Sequence, residues 1–409
     1  MLSICRFCQA RLHDTFIDLG LSPLCEKFVT PAQLAEPDRY YPLHAWICRA
    51  CLLVQLDALV APEELFGEYA YFSSYSDSWV AHAKNYCAHI VSRLDLKRGS
   101  RVVEIASNDG YLLQHLLGRG FDVIGVEPAA NVADVARARG VPTETRFFGR
   151  ETAAYLREQY GPADLLVGNN VLAHVPDLND FVAGMAALLA DTGTITMEFP
   201  HLLQLIEQGQ FDTIYHEHFS YFSLLTAERV FAAHGLRVID VEELPTHGGS
   251  LRIYASHSTT GGRASQRLIA LRERERAGGY DRLEGYSGFS ARAEAVKRGL
   301  VEFLVRAKAE GKRVAGYGAP GKGNTLLNYC GIGPALLPYT VDRSPYKQGL
   351  YTPGTRVPIH HPDRIAETRP DYVLILPWNL KDEIVKQLAY VREWGGQCVV
   401  PIPSLQVVE

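Results

Sequence analysis

Nine residues, Val102–Gly110 (Val-Val-Glu-Ile-Ala-Ser-Asn-Asp-Gly), restrict the fold of this chain more than any other stretch. Val102, Val103 and Ile105 form a short β-branched run suited to a strand buried on both faces. Ser107-Asn108-Asp109-Gly110 breaks the run with turn residues, and Tyr111–Leu117 then reads as a helix. A second apolar strand, Phe121–Val126, ends in Glu127. An acid about twenty residues after the turn of a βαβ unit can accept hydrogen bonds from both hydroxyls of a ribose. The turn has no G-x-G-x-x-G, so nothing in it is shaped for a pyrophosphate. A ribose acceptor without a phosphate cradle points to an adenosine that carries no phosphates, and S-adenosylmethionine is the obvious candidate. An ordinary βαβ unit without a ligand has the same local pattern.

Two C-x2-C knuckles, Cys5-Arg-Phe-Cys8 and Cys48-Arg-Ala-Cys51, lie upstream. Each places two thiolates on a tight turn, and two such turns facing each other make a tetrahedral zinc site. Four cysteine ligands leave no open position for water, so zinc there is structural. Cys25, Cys87, Cys330 and Cys398 are isolated and read as small buried residues. With eight cysteines in 409 residues the chain is no disulfide scaffold. A net charge of −5 argues against a general nucleic-acid binder and against an anionic membrane surface. No signal peptide opens the sequence and no run of eighteen apolar residues occurs, so the expectation is a cytoplasmic protein without a membrane partner.

Between the knuckles and the βαβ unit, Glu68–Trp79 is rich in tyrosine and serine. Tyr69, Tyr71 and Tyr75 could line a polyhydroxylated ligand or pack as a seam between two lobes. A helix runs from Val80 to Leu94. After Glu127, strands at 141–148, 163–168, 193–198 and 236–243 alternate with helices, which indicates a mostly parallel α/β sheet. Ligands sit at the carboxyl ends of such strands. Asn169, Asn170 and His174 therefore come beside the Glu104–Gly110 turn, and Glu104, Ala106, Asn108, Gly110, Glu127 and Asn169 are the candidate cofactor contacts.

The densest polar cluster is Tyr215-His216-Glu217-His218. It is not H-E-x-x-H, so a zinc hydrolase fails on geometry. A phenol, two imidazoles and a carboxylate facing a pocket could supply a general base, or could merely satisfy one another in a loop. His247 precedes Gly248-Gly249, where backbone could approach a ligand closely. Residues 261–300 are charged and read as a solvated helical connector. Gly316-Tyr-Gly318-Ala-Pro-Gly321-Lys322-Gly323 then opens a last α/β unit. Gly323 stands where a P-loop has Ser or Thr for Mg²⁺, which disfavours an ATPase. Backbone amides and Lys322 could still bind a pyrophosphate. Asp342 ends the next strand as a possible ribose or sugar contact.

Together these motifs resemble the nucleotide-sugar C-methyltransferases, and the resemblance runs in order along essentially the whole chain, to Pro377-Trp378-Asn379. It implies four regions: a zinc-binding domain (1–75), a Rossmann-like methyltransferase domain (76–260), the helical connector (261–300) and a Rossmann-like nucleotide-sugar-binding lobe (301–409). It implies methylation of a carbon beside the ketone of an NDP-4-keto-deoxysugar, typically C3, with S-adenosylmethionine as cofactor. By the same resemblance His218 is the base, and Tyr69, His174, Tyr215 and Glu217 line the sugar. Ala106 occupies a position that is glycine in the commoner methyltransferase turn, and His216 receives no role. A monomer or weak homo-oligomer suffices for this domain order. Three other functions compete: an epimerase that reprotonates the same enolate, an O- or N-methyltransferase, and a non-catalytic zinc-containing scaffold.

Overall fold

The computed structural model describes residues 3–61, 64, 72–260 and 262–408, so Tyr69 and Tyr71 lie outside the described residues. The first lobe pairs β1 (Asp14–Ser22) with β2 (Tyr41–Ile47) and β2 with β3 (Val54–Leu56), all antiparallel. The knuckles flank this sheet, with Cys48 and Cys51 in the turn after β2.

Ser76 caps the helix Asp77–Arg93 by accepting from the Trp79 amide at 3.3 Å. The central sheet starts with β4 (Arg101–Ile105), β5 (Asp122–Val126) and β6 (Thr143–Glu144). It continues with β7 (Ala163–Asn169) and β8 (Leu189–Pro200). A two-residue strand, β9 (Ser220–Tyr221), leaves the central domain and pairs antiparallel with β3, completing the first lobe's sheet. Next come β10 (Leu236–Leu244) and β11 (Ser250–His257). The order is β10-β11-β8-β7-β4-β5-β6, with β4 to β8 parallel and the β8–β11 and β11–β10 pairs antiparallel. Chain order reverses between β4 and β7, which opens the crevice where such sheets bind ligands.

Several local expectations change. Tyr111–Leu113 form a turn, and the helix is only Gln114–Leu117. All three of those turn residues are buried, which a helix lying on the surface could not arrange. The expected strand 141–148 shrinks to β6 at the sheet edge. Residues 261–300 are not a solvated connector: the helix Gln266–Ala277 buries Leu268, Leu271 and Glu275. The Glu275 carboxylate accepts from the Leu224 and Leu225 amides at 2.8 and 2.9 Å and pairs with the buried His201 at 2.7 Å. A second helix, Phe289–Ala309, leads to the third sheet.

That sheet contains β12 (Val314–Tyr317), β13 (Thr340–Val341), β14 (Ile359–His360), β15 (Tyr372–Ile375), β16 (Gln397–Val400) and β17 (Gln406–Val408). Its order is β14-β13-β12-β15-β16-β17, and β17 alone runs antiparallel to its neighbour. β14 and β17 escape sequence reading because two or three residues carry no period.

Candidate active site and zinc site

Cys5, Cys8, Cys48 and Cys51 come together with their Sγ atoms all within 4.8 Å of one another. The Cys5–Cys51 and Cys8–Cys48 separations are both 3.5 Å. Zn–S bonds of about 2.3 Å in a tetrahedron put sulfurs about 3.8 Å apart, so the four cysteines fit a closed zinc site. Gln55 donates its amide to Cys5 Sγ at 3.2 Å, a contact of the kind that orients a metal-bound thiolate. Arg6, inside the first knuckle, donates to the Pro176 carbonyl at 2.9 Å and lies 5.3 Å over the Phe219 ring. The knuckle thus touches the residue that follows His218.

At the β4 turn Ala106, Asn108 and Gly110 take positive φ values of 57°, 49° and 77°. Ser107 folds under the turn; a Cβ on Gly125 would stand 2.4 Å from its hydroxyl, so β5 needs glycine there. Asn108 accepts the Ser73 amide at 2.8 Å. Asp109 accepts from Ser74 and pairs with Arg139 at 3.1 Å. The turn thereby ties down Ser73 and Ser74 of the tyrosine-rich stretch. Glu127 accepts the Asn108 amide at 3.0 Å and the Ala129 amide at 2.9 Å, one on each oxygen, and keeps further lone pairs on both. Neither oxygen of the fully buried Glu104 carboxylate has a well-formed hydrogen bond. Desolvation drives its pKa well above the usual carboxylate range, only partly offset by Tyr111. A buried carboxyl that the protein leaves short of donors, beside a second acid at the end of β5, fits the ammonium and ribose of S-adenosylmethionine. Glu127→Ala is expected to cost at least tenfold in S-adenosylhomocysteine affinity by calorimetry; unchanged affinity would exclude this fit.

Asn169, at the end of β7, donates to the Tyr111 hydroxyl at 3.4 Å. Trp79 stacks between Tyr111 (6.0 Å) and His82 (5.0 Å) and meets His247 edge-on at 5.1 Å. His247 sits at φ 55° with its Nε2 3.3 Å from the Asn170 amide nitrogen. The loop carrying it is held by Thr246, which donates to the buried Glu198 at 2.9 Å, while Arg252 and His82 pair with the same carboxylate at 2.6 and 2.9 Å. The glycines after His247 are required by packing: a Cβ on Gly248 would stand 2.6 Å from Trp378, and one on Gly249 2.7 Å from Gln204.

His174 and His218 form one cluster with Tyr215. The His218 ring meets His174 perpendicularly at 4.7 Å and Tyr215 at 4.1 Å. Its Nδ1 is 2.9 Å from the Thr213 carbonyl, so Nδ1 carries the proton and Nε2 the lone pair. Burial and the neighbouring His174 hold its pKa well below the usual histidine value. His174 falls to about 4 and His247 to about 4, in both cases chiefly through burial. His216 turns away to the Pro42 carbonyl and the Tyr41 ring. Burial, reinforced by Glu26, pushes Glu217 up to about 8 against the pull of Lys347. A folded-state pKa raised above the unfolded value means that the group contributes stability below about pH 4.5 and loses it as pH rises through 8. Glu217→Gln should therefore match the wild type's Tm near pH 4.5 and exceed it near pH 8. A Tm difference that does not change with pH would contradict this environment.

The glycine-rich turn of the third lobe is braced from within. Asp342 has one oxygen on the Ala319 amide at 2.7 Å and the other on the Ser344 amide at 2.8 Å, so it braces the turn. Gly318 is needed because Pro377 packs where its Cβ would be, at 2.6 Å. At the start of the helix Gly321–Cys330, Glu26 Oε1 and Cys25 Sγ each lie 2.9 Å from the position of a Cβ on Gly321. A carboxylate and a thiol from the first lobe thus pack beside Gly321 and require glycine there. Lys322 instead donates to Asn379 at 2.9 Å and lies 4.8 Å over the Trp378 ring. Tyr75 faces Tyr346 of this lobe with nearly parallel rings 6.2 Å apart. The roles of Glu198, Arg252 and Asp212 went unread in the sequence, although an acid near the end of a buried strand, as Glu198 is, is a usable signal.

Residues 5–66 match the family described as "Putative zinc binding domain". Residues 79–241 match "Methyltransferase domain" and residues 245–403 "C-methyltransferase C-terminal domain". The chain is 37% identical over 407 residues to C-methyltransferase NovU of Streptomyces niveus, covering 99% of this chain and 96% of that one. It is also 32% identical over 102 residues to the ubiquinone biosynthesis O-methyltransferase of Bordetella avium (strain 197N), which spans 24% of this chain and 42% of that protein. Magnesium protoporphyrin IX methyltransferase (ChlM) of Synechocystis PCC 6803 with bound SAM aligns at TM-score 0.34 and 15% identity, over 48% of this chain and 89% of that one, too distant to carry an argument. Full-length identity to a C-methyltransferase, a four-cysteine cluster and a doubly wound sheet with an adenosine-type turn agree: the chain belongs to the S-adenosylmethionine-dependent C-methyltransferases with an N-terminal zinc-binding domain.

Proposed function

We propose that the substrate is an NDP-4-keto-deoxysugar and that the methyl group enters at C3, beside the ketone. The observation that carries this reading is the tautomer of His218. Its Nδ1–H is fixed on the Thr213 carbonyl, and its Nε2 lone pair belongs to a neutral imidazole within the His174–Tyr215 cluster. A C–H beside a ketone is acidic enough for such a base when donors stabilise the forming enolate. The lowered basicity of His218 is compatible with this work, because a protonated imidazole could not begin it.

His218 Nε2 takes the α-proton, and the C–H pair becomes the enolate double bond as the carbonyl pair moves to oxygen. S-adenosylmethionine supplies an electrophilic methyl group on sulfur for the nucleophilic carbon. Tyr215 and His174 border the base and orient the sugar ring, and Tyr69 and Glu217 are assigned to the sugar with them. Burial favours the protonated form of Glu217, which can donate a hydrogen bond. Tyr75, His247, Gly318 and Asp342 are assigned to the rest of the nucleotide sugar. A closed four-cysteine zinc site has a structural role and takes no part in these steps.

The test is proton exchange in D2O without S-adenosylmethionine, followed by methyl transfer with it, using dTDP-, UDP- and GDP-4-keto-6-deoxyhexoses. Exchange and C3 methylation are expected for one of the three. Methylation of oxygen or nitrogen, or of no sugar, would overturn the proposal.

A further inference from the structure

We propose that Lys322 supplies the positive charge that stabilises the enolate oxygen, a role that rests on the enolising function proposed above. Lys322 belongs by sequence to the glycine-rich turn of the third lobe, where a phosphate ligand is the natural expectation. Its surroundings point elsewhere. The Glu26 carboxylate and Cys25 of the first lobe pack beside Gly321, which sets a negative group next to the helix start that would receive a phosphate. The Lys322 ammonium lies 4.8 Å over Trp378, at the junction with the central domain. Trp378 donates its indole N–H to Asp212 at 2.6 Å. Asp212 is fully buried and directly precedes Thr213, whose carbonyl fixes His218. Gly248 closes on the same tryptophan, which brings the His247 loop to it. Lys322, Trp378 and Asp212 thus form a bridge from the third lobe to the backbone that orients the base, and Lys322 acts electrostatically on both His218 and His247.

The chemistry needs such a group. When His218 takes the α-proton, the imidazole becomes cationic and one negative charge appears on the former ketone oxygen. No electron leaves the pair and no co-reactant is required. His174 and His247 are neutral and supply only dipoles. An ammonium has three N–H donors, and Asn379 takes one of those of Lys322, at 2.9 Å. Asp212 and Trp378 keep the cation in the wall without neutralising it by a direct ion pair, so its charge remains available to an oxyanion.

The experiment uses the zinc-loaded full chain and compares Lys322→Gln, Lys322→Met and Lys322→Arg with wild type. Two quantities are read: α-proton exchange in D2O without S-adenosylmethionine on the three 4-keto-sugars, and calorimetric affinity for dTDP, UDP and GDP. S-adenosylhomocysteine affinity reports folding, and Lys322→Met keeps the stem over Trp378 if the polar variant does not fold. Loss of one oxyanion donor is expected to slow exchange by about 100-fold or more in Gln and Met, with nucleoside diphosphate affinity unchanged and Arg partly active. Exchange at the wild-type rate overturns the proposal, as does a loss matched by an equal loss of nucleoside diphosphate affinity, which would make Lys322 a phosphate ligand. Absence of exchange in the wild type would instead overturn the enolising function itself, and this role with it.

Discussion

His218→Asn is expected to lower turnover by about two to four orders of magnitude, the usual contribution of a positioned general base. S-adenosylhomocysteine and nucleoside diphosphate affinity should stay within about threefold, since a rotated amide changes no charge there. Asparagine can keep an N–H near the Thr213 carbonyl, where the Nδ1 contact now measures 2.9 Å, but it has no atom at the Nε2 position. The comparison therefore separates proton removal from the scaffolding of the loop. Exchange in D2O should fall in parallel with methyl transfer. Near-normal turnover in a folded, ligand-binding His218→Asn protein would remove this histidine as the base.

The second large effect is on stability. Stripping zinc with a chelator, or replacing Cys48 with serine, should unfold the first lobe, because structural zinc sites contribute on the order of 10 kcal/mol in small domains. The damage should not stop at that lobe. Arg6 reaches Pro176 and Phe219 from inside the knuckle, and β3 pairs with β9 two residues beyond His218. Loss of methyl transfer together with a lowered Tm is the expected result in both cases, restored by added zinc in the chelated wild type and not in Cys48→Ser. A chelated protein that keeps its Tm and its activity would show that the four cysteines need no metal.

What the sequence made legible was local. The cysteine pairs declare themselves by spacing, and β4 by consecutive branched residues closed by turn formers. The Tyr215–His218 run stands out because four polar, titratable side chains seldom occur together among apolar neighbours. What it hid were contacts across long separations. Glu26 packs beside Gly321 from almost three hundred positions away, a neighbour that no local pattern announces. Asp212 and Trp378 meet over 166 residues. The same blindness misread the charged run Arg272–Arg276, where Glu275 is buried against His201 while its neighbours face solvent. Charge in a sequence signals exposure only while its counter-charge is out of view.

The short strand β9 has a consequence for inheritance by recombination. Ser220 and Tyr221 are encoded within the central domain yet complete a sheet whose other strands come from the first. A crossover that exchanged the cysteine-bearing lobe alone would leave the recipient's Ser220–Tyr221 against a foreign edge strand, with its histidine loop attached. Chimeras between relatives should therefore survive when the exchanged fragments carry both partners of that pairing, and fail when the junction falls between them, however well each piece folds by itself.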